Sequence, residues 1–182
     1  SKTIELNESF CHTIDVQGKI VTPGFIDQHV HITGGGGQQG YASLVPEVTM
    51  SELVACGTTT VLGMLGTDGF AKELTTLYAK AKAIDDDGLS AYMLTSYYGL
   101  PTKTLMNSVA DDLIFIDKVI GCKLAMSDDR SPFPTEQEIL RIIHQVRLGG
   151  FTSGKGGILH IHLGALPEGI EPLLNIARHY PT

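Results

Sequence analysis

The chain has 182 residues, 42% of them hydrophobic and 18% charged, which is the composition of a globular protein long enough to bury a core. Its formal charge of −7 argues against nucleic acid and anionic membrane surfaces as partners, and no apolar run approaches the roughly 18 residues needed to cross a bilayer. The first residues show no basic-then-apolar leader pattern, and Cys11, Cys56 and Cys122 lack metal-ligand spacing, so the cysteines read as small buried hydrophobes of a reducing, cytoplasmic compartment.

In chain order, Thr3 to Lys19 reads as a β-hairpin remnant with Gln17-Gly18 as its turn. Phe25 to Ile32 is the first strong strand. Thr49 and Glu52 have capping-box spacing and open a helix that Gly57 stops. Thr59 to Leu65, rich in β-branched residues, is the second strand. The spacing of Phe70, Leu74, Leu77, Tyr78, Ala81 and Ile84 predicts one apolar face of a helix over Phe70 to Asp86. Ala91 to Tyr98 is the third strand, Asp111 to Val119 a short helix, and Gly121 to Ser127 the fourth strand. Thr135 and Glu138 form a second capping box, for a helix ending at Gly149. Ile158 to Leu163 is the fifth strand, followed by a helix from about Glu168 to His179.

This is a βα unit repeated about five times, which implies a parallel sheet; periodicity does not separate an open sheet from a barrel. No G-x-G-x-x-G follows the first strand, which disfavours a dinucleotide fold. A closed barrel needs eight units and about 250 residues, so further sequence is expected beyond Thr182 and before Ser1. Two domains are expected: residues 1–22 as the remnant of a small β-domain, and 23–182 as an incomplete βα domain.

Side chains two apart on a strand share a face, so Asp27, His29 and His31 project together. Two imidazoles so placed can chelate one divalent metal; the bland alternative is a pair of packed histidines. His160 and His162 repeat the spacing on the fifth strand. His162 is nearer the C-terminal end, where βα folds keep their active sites, and is the better ligand candidate, whereas His160 reads as a deeper core histidine with a hydrogen-bond partner. Lys123 lies inside the fourth strand, on the face of Ala125 and Ser127. Burial lowers a lysine's pKa and frees the amine to react with carbon dioxide; the carbamate can bridge two metals. A snorkelling lysine at a strand end is the competing reading. Tyr98 can polarise a carbonyl oxygen, or be a packing aromatic. The fork of Arg130 can hold a carboxylate, or pair locally with Asp128 or Asp129. Thr67 lies just past the second strand. Gly34 to Gly40, with Gln38 and Gln39, is a lid or a backbone cradle for substrate.

Val21-Thr22-Pro23-Gly24-Phe25-Ile26-Asp27-Gln28-His29-Val30-His31 resembles the opening motif of the amidohydrolase superfamily. With Gly34 to Gly37, Leu65-Gly66-Thr67-Asp68 and Ile120-Gly121-Cys122-Lys123, the chain resembles the isoaspartyl (β-aspartyl) dipeptidases from about Gln17 onward. The resemblance implies an α/β fold, a (β/α)8 TIM barrel of amidohydrolase type, with only the first five or so units present. It implies two Zn2+ ions: His29 and His31 on one, His162 on the other, and a carboxylated Lys123 bridging both. It implies a small dipeptide substrate touched by Gly36, Gln38, Thr67, Tyr98 and Arg130, with Tyr98 catalytic through the scissile carbonyl. A homo-oligomer is expected.

Two features qualify the resemblance. The family carries a glutamate for the substrate's α-ammonium where this chain has Gln38, and a neutral amide lacks the charge assistance. The family's remaining metal-binding histidine, second substrate arginine and catalytic aspartate are expected beyond Thr182, so this piece by itself is expected to be inactive. The expected activity is hydrolysis of the β-aspartyl isopeptide bond. The alternatives are another amidohydrolase, such as a cyclic amide hydrolase or N-acyl amino acid deacylase, and a non-catalytic binding protein on a hydrolase scaffold.

Overall fold

A computed structural model describes residues 12–180, with a frame of parallel strands alternating with helices. The strands β1 (Phe25–Val30), β2 (Thr58–Gly63), β3 (Ser90–Ser96), β4 (Val119–Met126) and β5 (Ile158–Leu163) pair in chain order. The helices are α1 (Met50–Ala55), α2 (Leu74–Asp86), α3 (Val109–Phe115), α4 (Glu136–Ser153) and α5 (Glu171–His179). The β4–β5 ladder is unbroken from Gly121↔Ile158 to Met126↔Leu163, so Lys123 stands beside His160 and Ala125 beside His162.

In a flat sheet, four strand spacings of about 4.8 Å would hold β1 and β5 about 19 Å apart with their side chains parallel. Here the imidazoles of His29 on β1 and His160 on β5 stand 4.9 Å apart, centroid to centroid. The sheet is therefore curled into a half-barrel whose inward side chains converge. Alternation sorts the residues of β4. Cys122, Leu124 and Met126 join the apolar cluster under the helices, while Lys123 faces the concave side. Leu62, Met64 and Leu94 form a smaller cluster separate from the one beneath the helices.

Both predicted capping boxes are present, Thr49 with Glu52 and Thr135 with Glu138, each cap worth about 1 kcal/mol. Helix α2 buries Leu74, Leu77, Ala81 and Ile84, the leucines contributing about 2 kcal/mol each. It does not begin at Phe70. The carboxylate of Asp68 accepts the Gly66 N–H at 2.9 Å, Thr67–Phe70 closes into a 3-10 turn, and an extended Glu73 caps α2. Phe70 is therefore exposed beside Tyr41 rather than part of the core.

Helix α3 starts earlier than the predicted Asp111, with Ser108 Oγ accepting the Asp111 N–H at 3.0 Å. Its C-terminal end is closed by Lys155, whose ammonium donates to the carbonyls of Leu113, Ile116 and Val119 at 2.6, 2.5 and 3.1 Å. Helix α4 runs past the predicted stop at Gly149. A Cβ there would meet Leu113 Cβ at 2.7 Å, and one on Gly150 would meet Gly157 Cα at 2.9 Å, so both glycines serve close packing inside the helix. The turn into left-handed backbone comes at Gly154. Helix α5 starts at Glu171 rather than Glu168, with a proline in its first turn.

Of the predicted N-terminal hairpin, residues 3–11 lie outside the described residues. Gln17 and Gly18 do form a turn, closed by Lys19 N–H donating to Val16 O at 2.9 Å, but no strand forms over residues 12–19. Among the described residues no helix is long and apolar enough to cross a membrane.

Candidate active site

The C-terminal ends of the strands open onto one cavity of about 280 Å³. His29 enters it from β1 and His31 from just beyond it, Thr67 from beyond β2, Tyr98 from beyond β3, Lys123 and Arg130 from β4 and its following loop, and His162 from β5. Gly36 and Gln38 of the glycine run complete this set, and Gly66 and Asp68 join it. Every site residue named from the sequence thus lines a single space.

His31 Nδ1 lies 3.1 Å from the carbonyl oxygen of Met64. A carbonyl can only accept, so Nδ1 carries the proton and Nε2 keeps its lone pair. Burial lowers the pKa of His31, against the opposing charge of Asp68. His29 is lowered to about 4, by burial first and then by the charge of Lys123. Both rings are therefore neutral at pH 7, the state a metal ligand requires. Their centroids lie 5.4 Å apart.

His160 does have a hydrogen-bond partner, as expected, but the partner is His29: His160 Nε2 and His29 Nδ1 are 3.1 Å apart. It thus reaches the edge of the site across the half-barrel. His162 Nε2 lies 3.1 Å from Asp128 Oδ2, and its ring sits 4.9 Å from that of Tyr98.

Lys123 is 1% exposed, and its Nζ has no hydrogen-bond partner. Burial alone draws its pKa down to about 8. A long cationic stem held in the concave face with nothing to pair with is an expensive arrangement.

Arg130 makes the local pair. Its Nε donates to Asp128 Oδ1 at 2.9 Å and its Nη2 to Oδ2 at 2.8 Å. That bidentate contact holds the Asp128 carboxyl far below the usual carboxylate range. The Tyr98 hydroxyl is buried near the Asp128 carboxylate without a well-formed hydrogen bond, and burial, then its interaction with Asp128, raises its pKa well above that of a free phenol. It stays protonated and available as a donor. The loop after Tyr98 is tied down by buried Asp112, which accepts from the Leu105 and Met106 N–H groups at 2.9 and 2.7 Å and from the Thr95 hydroxyl.

The glycine run is a built wall. Gly36 has φ +87, and a Cβ on it would lie 2.4 Å from Ser43 O. Thr67 Oγ donates to the Gly36 carbonyl at 2.9 Å, and Lys72 binds the Thr33 carbonyl. Gln38 stands exposed at the mouth. Asp68 and Asp128 are not singled out as site residues by the sequence; both are buried polar residues a few positions beyond a strand's C-terminal end, and that position is the signal that marks them.

Among the described residues, no three His, Cys, Asp or Glu side chains assemble into a group able to hold a metal. Lysine is not an ordinary ligand, so the donor set fits a metal only if Lys123 supplies oxygen. The Nζ of Lys123 is buried without a partner and close enough for its charge to bear on His29, so it is placed where such an oxygen donor would be carried.

No protein-family model matches the chain. The imidazolonepropionase of Ruegeria sp. (strain TM1040) is 31% identical over 100 residues, 53% of this chain and 25% of that protein. That of Acinetobacter baumannii (strain ATCC 17978) is 28% identical over 96 residues, 51% and 24% of the two chains. The half-barrel, its strand-end site and these similarities place the chain in the amidohydrolase superfamily. Within it, the chain is similar to the β-aspartyl dipeptidase of the thermophilic keratin-degrading Fervidobacterium islandicum AW-1. The crystal structure of that protein matches at a TM-score of 0.86 and 46% identity, over 88% of this chain and 44% of that one. The structure of the same dipeptidase in complex with a β-Asp-Leu dipeptide matches equally well, over 42% of its length. The chain thus spans less than half the length of these solved relatives.

Proposed function

We propose that the protein hydrolyses the isopeptide bond of β-aspartyl dipeptides, using two zinc ions bridged by a carboxylated Lys123. The observation that carries this is the buried, partnerless Lys123 Nζ in one cavity with His29, His31 and His162, in a chain 46% identical to a β-aspartyl dipeptidase. In forming the carbamate, the neutral amine of Lys123 bonds to the carbon of CO2 and releases one proton. His29 and His31 would hold one ion, His162 the other, and the carbamate oxygens both. When bound, such a pair supplies Lewis acidity and lowers the pKa of water toward neutrality.

The chain's own residues supply the rest. Tyr98, kept protonated by burial and by the neighbouring Asp128 carboxylate, donates its O–H to the carbonyl oxygen as negative charge develops there. Asp128 engages Nε and Nη2 of Arg130 and fixes the guanidinium, whose remaining N–H donors can take a substrate carboxylate. Thr67 and Gly36 shape the wall against which the dipeptide lies. We assign residues 1–22 to the remnant of a small β-domain and 23–182 to an incomplete barrel domain. A second reading, a cyclic amide hydrolase or N-acyl amino acid deacylase, is favoured by Gln38, which bears no charge for a free amino group. The test is metal analysis of the intact protein with turnover of β-Asp-Leu, a hydantoin and an N-acetyl amino acid. Preference for β-Asp-Leu with bound zinc is expected; absence of any divalent metal would overturn the proposal.

A further inference from the structure

We infer that His160 is a positioning residue that sets the tautomer of His29. The inference rests on the metal-site reading above, in which His29 is a ligand. The two members of the H-x-H pair are treated alike by their surroundings. His31 gives its Nδ1–H to the Met64 carbonyl at 3.1 Å, leaving Nε2 as the nitrogen with a lone pair. His29 also has its Nδ1 engaged, but the atom facing it at 3.1 Å is His160 Nε2. Unlike a carbonyl, that nitrogen can accept or donate. If His160 donated, His29 would keep its proton on Nε2 and could not ligate through it. If His160 accepts, His29 is the Nδ1–H tautomer and offers the same nitrogen as His31. Only the second arrangement makes the pair equivalent, and it requires His160 to carry its own proton on Nδ1. The contact spans 131 residues and joins the two edges of the half-barrel, so it also fixes where the His29 ring points. A hydrogen-bond partner behind a metal-bound imidazole is worth 10- to 100-fold in metal affinity.

The tests use the intact protein. Long-range 1H–15N correlation spectra of the metal-free, 15N-histidine-labelled protein should show His29 protonated at Nδ1; protonation at Nε2 overturns the inference. Zinc affinity, read by competition with a chromogenic chelator, should fall roughly 10- to 100-fold in His160→Leu. It should return to within a few-fold of wild type in His160→Gln, whose Oε1 can accept from His29. Unchanged affinity in His160→Leu, or no rescue by glutamine, overturns it. If the leucine variant does not fold, the wild-type spectrum and the glutamine variant decide. Failure of the wild-type protein to bind zinc would instead sink the metal-site reading, and the spectrum would still report the His29 tautomer.

Discussion

Lys123→Met separates what the site costs the fold from what it gives to function. Methionine keeps an unbranched stem of similar length and removes the charge. In the folded chain the amine has a pKa of about 8, against 10.5 for a free lysine, because burial disfavours the ammonium. Each pKa unit corresponds to about 1.36 kcal/mol, so the protonated amine destabilises the metal-free fold by about 3 kcal/mol at pH 7. The sign follows from proton counting. Between pH 8 and 10.5 the unfolded chain binds more protons than the folded one, so wild-type stability rises with pH and the penalty shrinks to about 1 kcal/mol at pH 10. Lys123→Met should therefore be more stable than wild type by up to about 3 kcal/mol at pH 7, with the advantage falling by about 2 kcal/mol at pH 10. The assay is urea denaturation of the metal-free intact protein in CO2-depleted buffer at both pH values. The same variant should retain little zinc and no turnover. A variant less stable than wild type at pH 7, or an advantage independent of pH, would refute the reasoning that the site is held at the fold's expense.

Tyr98→Phe should lower kcat by roughly 100- to 1,000-fold with little change in KM, because the hydroxyl acts on developing charge; an unaltered kcat would remove Tyr98 from the chemistry. Asp112→Ala strips acceptors from the Leu105 and Met106 N–H groups and the Thr95 hydroxyl and should destabilise the protein by roughly 3 kcal/mol or more in denaturation. Gln38→Glu should lower KM for a β-aspartyl dipeptide by about tenfold if the substrate's ammonium lies at the cavity mouth, and leave an N-acetylated substrate unimproved or worse; equal effects on both would place the ammonium elsewhere.

Much of the fold is legible in the sequence because its signals are local. Capping boxes at Thr49 and Thr135 act over three residues, and the strand alternation that turns Lys123 away from Cys122 and Leu124 has a period of two. Those same short-range rules put His29, His31, Lys123 and His162 on the strand faces that, in the folded sheet, line one cavity. Local rules fail where packing overrides them. Gly149 reads as a helix stop and instead lets α4 lie against Leu113, and Phe70 reads as core but is turned outward by the Asp68-closed turn.

By itself, then, the sequence determined the order of βα units, the strand faces and the chemistry-bearing residues on them, since each depends on neighbours a few positions away. Only the tertiary structure decided that the sheet curls, and curling is what makes distant groups meet. It brings His160 on β5 onto His29 on β1 across the half-barrel, while the pairing of β4 with β5 sets Asp128 within reach of His162. It also leaves the Lys123 amine buried with no partner, a condition that follows from the closure of surrounding strands and from nothing in its own sequence neighbourhood.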